Sequence, residues 1–587
     1  MRLRCVRPEC LIPVALIFLF VCAPAWSQEP VGISVSEIRT AFEETVEVEL
    51  VNVEIRVEDH KGRPIRGLAK EDFQVFEDRR PVDILHFSEL SDHSGSVVPD
   101  SSKSADTAGS VKPEAEAANS VSEPGVLVLY FDNSHLRSGG RKRLVRDLKD
   151  LIRSGALPSP RVLVLAQDPG LETLAPVGSN AEDLLRALEQ VETGPAGGHE
   201  IDRDRTQLMD RLHELAQMST ELFGNPCTMM RDEGLRNAES FGRQVAARVG
   251  VTLRHLAGLS SSLIGIPGPK SVLYFGAGLE LLPMGDVTHY LSEVCPQFAA
   301  DFRRQERFLD QTTRFQRLTR HANANRVTFY PMDAQGLSVG SSASVDHATF
   351  DWKPSPLNDQ IRRANLQNSL SFMASDTGGR AVFNRNSLHD EILAVHREAG
   401  SFYSVAYRPL HEGDGKTHTI DVEVRRKKAR VRHRLSYRDK SSDERMADRL
   451  QGALRLGLES DPMGIDLTRG PARATDKDGI FEVPVRVTVP LEALVFLPED
   501  EHHVGRLRLQ VAARDASGRD SAFHQKLFEV ELDPSLAGRA SGRHTFMVDL
   551  MLRSGPHVLA VALRDELSRE TSYRASKVTV VSPTKTP

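Results

Sequence analysis

The chain has 587 residues, enough for roughly three or four domains of ordinary size, and 40% of its residues are hydrophobic and 27% charged. This composition is typical of a globular protein whose domains can bury sizeable cores. The net charge of −6 and the isoelectric point near 6.4 argue against a nucleic-acid-binding protein, because such proteins carry basic surfaces.

The N-terminal segment, residues 1–27, has the features of an export signal. Three arginines precede a short apolar run over residues 11–22, and small residues flank a cleavage position near Ser27. A run of about 12 apolar residues is too short for a membrane-spanning helix, so cleavage is expected. Cys22 leaves open a lipidated form. We therefore expect an exported protein, periplasmic or extracellular, with no membrane span after signal cleavage.

Residues 46–90 predict a small β module. The stretch VEVELVNVEIRVE alternates apolar and polar residues, DHKGRP supplies turn residues, and DFQVFED and PVDILHFSEL predict two more strands. Residues 91–123 are rich in Ser, Ala, Gly, Pro and Glu and contain few large apolar side chains. Such a segment buries too little surface to offset its ordering entropy, which predicts a flexible linker.

Residues 125–408 alternate strand and helix patterns, which predicts a doubly wound α/β domain. Near-continuous apolar runs are typical of parallel strands covered on both faces. These runs lie at 126–131, 162–166, 271–275 and 327–330. Helical periodicity is found at 141–153, 181–191, 205–222, 235–262, 298–322 and 357–375.

The C-terminal part predicts further β structure. Residues 409–440 alternate as strands and are expected to complete the N-terminal module, because each segment alone has too few strands to be stable. Residues 441–478 predict a helix and a connector, and residues 479–581 show the alternation of a β-sandwich-like domain. The expected fold class is therefore multi-domain, α/β plus all-β.

Cys227 and Cys295 are the two cysteines outside the predicted export signal. An even pair in an exported chain favours a disulfide. The bridge would tie a long helical insertion between the second and third predicted strands. No further Cys or His stands nearby at metal-ligand spacing, so a zinc site is not expected at these cysteines.

The stretch LVLYFDNSHLRSGG, residues 127–140, contains the main site candidate. Asp132 and Ser134 follow the first strand at the carboxyl end of the predicted sheet, where open α/β domains bind ligands. An Asp-x-Ser pair offers hard oxygen ligands for Mg²⁺, but the same residues would also cap a turn and a helix. Asp168 and Asp333 follow other strands and would join Asp132 in a hydrolase-type acid cluster.

Further segments resemble a known family. VNVEIRVEDHKGRPIRGLAKEDFQVFEDRRPVDILHFSE (51–89), FMASDTGGRAVF (372–383) and FYSVAYRP (402–409) resemble the von Willebrand factor A-related family described from acidobacteria. The predicted α/β domain looks like a von Willebrand factor type A domain. The resemblance covers roughly residues 46–440 and implies an A-like domain flanked by β-sandwich-like modules.

The resemblance also implies a metal-ion-dependent adhesion site, in which Asp-x-Ser-x-Ser, a Thr and a second Asp hold a metal that binds a partner's carboxylate. This sequence keeps Asp132 and Ser134 but has Leu136 in place of the second Ser. Gly276 stands where the second Asp is expected, and Thr206 is only a loose match for the Thr. The implied site is degenerate, with no cofactor or a weakly bound Mg²⁺ or other divalent cation.

The sequence thus predicts an exported, non-enzymatic interaction protein of the adhesion type. It would bind an unidentified protein partner through the strand-end face, with Asp132 contacting an exposed Lys or Arg if no metal is held. Two alternatives stay open: a metal-dependent hydrolase on the same face, and a structural envelope protein that has lost its site. No G-x-S-x-G, H-E-x-x-H or P-loop motif supports an enzyme.

Overall fold

The computed structural model of the chain describes residues 50–90, 125–337 and 355–581, apart from short gaps at 158–160, 169, 264–265, 267, 412, 458, 478, 500–501, 522 and 533–541. The predicted export signal and the linker predicted over 91–123 lie outside the described residues. No helix within the described ranges has the length and apolar character needed to cross a membrane.

The described chain begins with short β-strands. They are β1 (Val51–Glu58), β2 (Phe73–Glu77), β3 (Arg80–Val82) and β4 (Ile84–Leu90). β2 and β3 pair as a tight antiparallel hairpin, whose turn residues Asp78 and Arg79 adopt positive φ. β1 is buried along almost its whole length, so this strand must be covered by structure from elsewhere in the chain.

A five-stranded sheet forms the centre of the chain. Its strands are β5 (Val126–Asp132), β6 (Val162–Asp168), β7 (Gly170–Ala175), β8 (Lys270–Gly276) and β9 (Val327–Asp333), in the order β7-β6-β5-β8-β9. The four predicted strands are confirmed and run parallel. β7, which the sequence pattern did not predict, is an antiparallel edge strand. The chain proceeds outward from β5 in both directions, so β5 lies at a topological switch point.

The helices of this region are α1 (Ser138–Arg153), α2 (Ala181–Thr193), α3 (Gly198–Phe223), α4 (Leu235–Ser262), α5 (Gly285–Val294), α6 (Ala299–Phe308), α7 (Thr312–Ala324), α8 (Pro356–Asp376) and α9 (His389–Ala399). α5 and α9 were not predicted. The single helix predicted over 298–322 is in fact α6 and α7, because the chain leaves helical geometry at residues 309–311, where the Asp310 carboxylate accepts the Thr312 backbone N–H at 2.7 Å.

Helices cover both faces of the sheet. Side chains from alternate strand positions, such as Leu129 and Phe131, pack with α1, α2 and α9. Their neighbours, such as Val128 and Tyr130, pack on the other face with α4, α7 and α8. The near-continuous apolar runs in the strands are explained by this double burial, and the predicted combination of α/β and all-β structure is confirmed.

A smaller helical layer carries the disulfide. Side chains of α3, α5 and α6 share an apolar cluster with the segment around Met230. Cys227 and Cys295 lie within this cluster, their Cα atoms are 5.5 Å apart, and their sulfur atoms are bonded. The disulfide expected from the sequence is therefore present, and it ties the segment after α3 to the end of α5.

The β module is completed after the α/β domain. Its later strands are β10 (Phe402–Tyr407), β11 (Thr417–Val424), β12 (Arg430–Arg432) and β13 (Ser436–Arg438). They form two sheets with the early strands, β12-β1-β10-β4 and β13-β11-β2-β3, around one apolar core. The predicted pairing between the two segments is confirmed. The predicted domain boundary at residue 408 is wrong, because β10 lies between β1 and β4 in the β module.

A buried ionic cluster joins the β module to the α/β domain. The Glu398 carboxylate of α9 accepts hydrogen bonds from the Tyr330 hydroxyl at 2.9 Å and from Arg380 Nε at 3.2 Å. Arg432 Nη2 of β12 lies 2.7 Å from the same carboxylate, and Arg56 Nε of β1 lies 3.5 Å from it. Both sides of the junction therefore share one carboxylate.

The C-terminal domain is a two-sheet β structure with one helix against it. α10 (Ser442–Leu456) starts with a capping box at Ser441 and Glu444. The strands are β14 (Asp466–Arg469), β15 (Arg473–Ala474), β16 (Ile480–Pro490), β17 (Leu497–Glu499), β18 (His502–Asp515), β19 (His524–Leu532), β20 (Arg543–Arg553), β21 (Gly555–Asp565) and β22 (Thr571–Val580). α10 packs on the sheet that contains β18, β21 and β22, whereas β14, β15, β16 and β20 form the other sheet.

Both C-terminal sheets contribute to one apolar core, as the predicted sandwich requires. The predicted start of this domain at residue 479 is wrong. β14 and β15 precede that residue and pair with β16, so they belong to the sandwich and not to a connector. These strands are short and largely exposed, which gives them little apolar alternation to detect.

The shared β module predicts that a chain cut within residues 91–123 stays in one piece. We expect both fragments to co-elute in size-exclusion chromatography after cleavage at an introduced protease site, because β1, β2 and β4 pair with β10, β11 and β12. In concentrated urea the fragments should separate. Elution of the N-terminal fragment alone under native conditions would contradict the pairing.

The disulfide predicts a measurable stabilisation of the helical layer. Cys227→Ser combined with Cys295→Ser should lower the free energy of unfolding by roughly 4 kcal/mol, since the bridge closes a 68-residue separation. Urea unfolding of the oxidised wild type and the double variant measures this difference, and reduced wild type is the matched control. Two reactive thiols in the unfolded but unreduced mature protein would disprove the bridge.

Candidate functional site

The end of β5 is shaped by a tight turn. The backbone N–H groups of His135 and Leu136 donate to the Asp132 carbonyl oxygen at 3.0 and 2.9 Å. Leu136 is 1% exposed and packs in the core on the α1 face of the sheet. The position expected for a second serine ligand is therefore a core position. The apolar side chain there stabilises the turn by packing against the core.

The Asp132 carboxylate is enclosed by protein groups. It has no solvent exposure, and its Oδ2 accepts hydrogen bonds from the Tyr274 hydroxyl at 2.6 Å and His135 Nδ1 at 2.8 Å. The Thr252 hydroxyl of α4 lies 3.4 Å from the same oxygen. Oδ1 has no hydrogen-bond partner among the described residues. One carboxylate thus connects β5, β8 and α4.

Gly276 makes room for one of these donors. A Cβ atom at this position would lie 2.7 Å from both the ring and the hydroxyl of Tyr274. Without a side chain there, the Tyr274 ring crosses the strand end and reaches Asp132. Burial, and then the charge of Asp132, raise the pKa of Tyr274 well above its ordinary value, so the hydroxyl stays protonated and donates. A hydroxyl from Tyr274 thus occupies the side where the second acid was expected.

The His135 ring lies beside Asp132, with Nδ1 2.8 Å from Oδ2. Burial alone would lower the pKa of His135, but the Asp132 carboxylate, and then the charge of Glu280, raise it above the ordinary histidine value. Glu280 follows β8 and is 9% exposed. Burial raises the pKa of Glu280 itself. The Nδ1–H group of His135 therefore takes the place at Asp132 Oδ2 that a bound cation would take.

The polar groups continue into the core. Thr252 accepts a hydrogen bond from Gln167 Nε2 at 2.8 Å, and Gln167 Oε1 in turn accepts from the Tyr130 hydroxyl. Sequence reasoning did not identify His135, Tyr274, Thr252 or Gln167 as site residues. The available signal was a polar residue placed inside or directly after an apolar run, as Gln167 is at the end of β6.

The beginning of α3 packs on the Asp132 turn. Gly197 N–H donates to the Asn133 carbonyl at 2.8 Å, and Gly198 N–H donates to the Leu136 carbonyl at 3.1 Å. A Cβ atom on Gly198 would lie 2.7 Å from the His135 carbonyl oxygen, so only glycine allows this approach. The loop before α3 therefore covers the turn that the resemblance assigns to a metal.

Two candidate ligands differ from expectation. Thr206 lies on α3 and its hydroxyl donates to the Asp202 carbonyl at 2.8 Å, so it is not a partner of Asp132. Ser134 is half-buried, and Gly197 packs against its backbone. The hypothesis that Asp132 contacts a partner's Lys or Arg is wrong, because its carboxylate is fully buried.

The acid cluster of the hydrolase alternative is not assembled. Among the described residues, His, Cys, Asp and Glu side chains near Asp132 do not converge into a set of three. Asp333 is 9% exposed, and its Oδ1 accepts the Gln335 backbone N–H at 3.0 Å, whereas Asp168 is exposed. The strand ends bring these acids to one edge of the sheet without bringing their carboxylates together.

The partly exposed rim of the strand-end face is ionic. Arg137 from the Asp132 turn and Arg362 from α8 both bind the Asp202 carboxylate of α3. Burial would raise the pKa of Asp202, but the two arginines lower it, so the carboxylate is charged. The side chain of Arg137 is 37% exposed. This group, here called the Asp202 rim, presents charge to solvent above the buried Asp132.

Comparisons with known proteins identify no family. No family model matches the chain, and no curated protein matches it. Solved structures that align include a Northeast Structural Genomics Consortium target and the ApaA protein from Bordetella pertussis. Each is 11% identical with a TM-score of 0.15, over 21% of this chain and 90% or 98% of the other. A β-glucosidase from Kluyveromyces marxianus aligns over 56% of this chain and 34% of its own, at 10% identity and a TM-score of 0.12. Likenesses this low support no conclusion about fold or function.

The enclosed carboxylate predicts a large stability effect. Asp132→Ala should lower the free energy of unfolding of the α/β domain by about 3–5 kcal/mol, because it leaves the buried Nδ1–H of His135 and the buried hydroxyl of Tyr274 without an acceptor. Asp150→Ala is the matched control: this α1 carboxylate is 59% exposed, and its loss should change the free energy by less than about 0.5 kcal/mol. Urea unfolding measures both. Equal effects would contradict a role for Asp132 in the core.

Proposed function

We propose that this chain is an exported, non-enzymatic interaction protein related to the von Willebrand factor A-related family, whose A-like domain contacts a protein partner without a bound metal. The partner surface is the strand-end face, and the contacts are made by the Asp202 rim in place of Asp132. This proposal keeps the domain class suggested by the sequence and changes the chemistry by which the face binds.

One observation carries the metal-free form of the proposal: the Asp132 carboxylate is fully buried, and its Oδ2 is hydrogen-bonded by His135 and Tyr274 with Thr252 beside it. A Mg²⁺ ion needs near-octahedral oxygen coordination and gives up its water reluctantly. At Asp132 Oδ2 the protein already supplies hydrogen-bond donors in the place of such an ion. A cation bound to Oδ2 would have to displace the His135 ring or the Tyr274 hydroxyl.

Export is supported by the disulfide. Bridges persist in oxidising compartments and are rare in reducing ones, so the bonded Cys227 and Cys295 fit a chain that carries an export signal. The bridge lies in the helical layer that begins beside the Asp132 turn and includes α3. It therefore stabilises the element that bears Asp202.

The rim residues suit a polar contact. Arg137 and Asp202 present a positive and a negative charge at the surface. Arg362 also binds the Asp202 carboxylate and holds it in place. Partly exposed charges of this kind contribute to association rate and specificity more than to raw affinity. The proposed partner therefore presents a complementary charged surface.

A second candidate is a structural envelope protein without a partner site. The observation that favours it is the closure of the strand-end face by Gly197 and Gly198, which leaves little of the Asp132 turn accessible. In that case the β modules would be the functional surfaces and the α/β domain would serve as a spacer. Binding experiments separate the two candidates.

The proposal predicts metal-independent capture of a partner. The mature chain, residues 28–587, should retain the same envelope protein from an extract in Mg²⁺ and in EDTA. Arg137→Glu should abolish capture by reversing one rim charge next to Asp202, and Arg153→Glu, an exposed α1 position, is the matched control that should not. Circular dichroism confirms that each variant is folded.

Three outcomes are distinguishable in that experiment. Capture that EDTA abolishes would show a metal-dependent face and contradict the proposal. Capture that survives Arg137→Glu would place the contact elsewhere on the chain. A chain that retains no protein above the level of a blank surface would favour the structural candidate.

A further inference from the structure

A cluster of acidic and histidine side chains lies in the β module, far along the chain from Asp132. Among the described residues, Glu77, His411 and His418 form one group in which a ligand atom of each lies within 4.8 Å of the others. Glu77 ends β2, His418 lies in β11, and His411 lies in the connection between β10 and β11. The three residues therefore meet where the early and late strands join.

Glu77 is an unusual member of this cluster because it is fully buried. Its carboxylate accepts the Leu410 backbone N–H at 3.2 Å and lies beside the buried hydroxyl groups of Tyr407 and Tyr437. A carboxylate removed from water requires a nearby positive charge or a metal to be stable in its ionised form.

His418 is held by carboxylates on both sides of its ring. Nδ1 lies 2.8 Å from Asp78 Oδ2 and Nε2 lies 3.2 Å from Asp414 Oδ1, while the ring stacks on His411 at a centroid distance of 4.3 Å. Three carboxylates and two imidazole rings thus lie together when Glu77 is included, and both kinds of group are common zinc ligands.

We propose that Glu77, His411 and His418 bind a divalent transition metal of the zinc type in the β module. One nitrogen of each imidazole and one oxygen of Glu77 supply three ligands. The carboxylate displaced from the coordinating nitrogen of His418, from Asp78 or Asp414, supplies the fourth. Mixed imidazole and carboxylate ligands suit zinc and its first-row neighbours.

Carboxylates hold both ring nitrogens of His418 at hydrogen-bond distances, 2.8 Å for Asp78 and 3.2 Å for Asp414. A metal bound to one nitrogen takes the place of its proton, and the carboxylate there moves aside to become a ligand. Zinc bonds of about 2.1 Å place neighbouring tetrahedral ligands about 3.4 Å apart. Whichever nitrogen coordinates, the other keeps its carboxylate partner, which is the common way that a metal-bound histidine is oriented.

Binding closes the remaining distances and releases a proton. The three ligand atoms lie within 4.8 Å of one another and must come to about 3.4 Å for tetrahedral coordination. The His411 ring must also turn out of its stack on His418, so that a nitrogen of each ring faces one ion. His411 is half-buried in a connecting segment, where such a shift requires no strand to move. His418 gives up the proton on its coordinating nitrogen to solvent, since only a deprotonated imidazole nitrogen binds metal.

The proposed metal would join the two segments of the chain that form the β module. Glu77 belongs to the segment before the α/β domain, and both histidines belong to the segment after it. A ligand that binds only the folded module raises its free energy of unfolding, and a tighter ligand raises it more. The site is independent of the proposed function of the strand-end face, and its failure would leave that proposal unaffected.

The test uses the untagged, metal-free mature chain and ZnCl₂ in calorimetry. We expect one Zn²⁺ per chain with a dissociation constant below about 10 μM, which corresponds to about 7 kcal/mol. His411→Ala and Glu77→Gln should each weaken binding by more than about tenfold. His86→Ala is the matched control, because His86 is an exposed histidine of β4 in the same module and should bind Zn²⁺ as the wild type does.

Two further readouts keep the result interpretable. Co²⁺ bound in the site should show the strong visible absorption of tetrahedral coordination, and Zn²⁺ should raise the melting temperature of wild type but not of His411→Ala. If Glu77→Gln fails to fold, the half-buried His411 variant decides. Absence of saturable binding to wild type would overturn the proposal, as would equal loss in His86→Ala and His411→Ala, which indicates surface histidines only.

Discussion

The Glu398 carboxylate is the constraint on which the arrangement of the first two domains depends. It is 13% exposed and is shared by Arg56 and Arg432 of the β module and by Arg380 and Tyr330 of the α/β domain. The α/β domain is inserted into the β module, so the chain must leave and re-enter at a fixed separation. A carboxylate shared by both domains favours that separation, because its loss would take the Glu398 partner from the buried Arg56 and leave that charge poorly compensated.

Much of the fold follows from local patterns in the sequence. β5, β6, β8 and β9 were predicted because strands buried on both faces require continuous apolar runs. β7 was missed because three of its six residues are polar or glycine and it lies at the sheet edge. β10 was assigned to the wrong domain because its apolar sequence would suit a buried strand of either domain. Only its pairing with β1 and β4 shows that it belongs to the β module.

The candidate site was predictable in position and not in environment. The acid at the end of β5 was evident from the sequence, but its partners come from Tyr274 and Thr252, which are more than a hundred residues away. In the sequence, Gly276 stands where a ligand is missing. In the structure, its lack of a side chain leaves the space that the Tyr274 ring occupies to reach Asp132. Counting absent ligands in a sequence does not reveal the donors that take their places, because those donors are set by tertiary packing.

The split β module has a consequence for the order in which the chain acquires structure. β1, β2 and β4 leave the ribosome first, yet their partners β10 and β11 follow only after the whole α/β domain has been made. Until then their edges are unpaired and open to association with other chains. The α/β domain has its own core and can form meanwhile. Long-range pairing of this kind is intrinsically slow. Productive synthesis of this protein therefore requires that the N-terminal strands of one nascent chain stay apart from those of other chains.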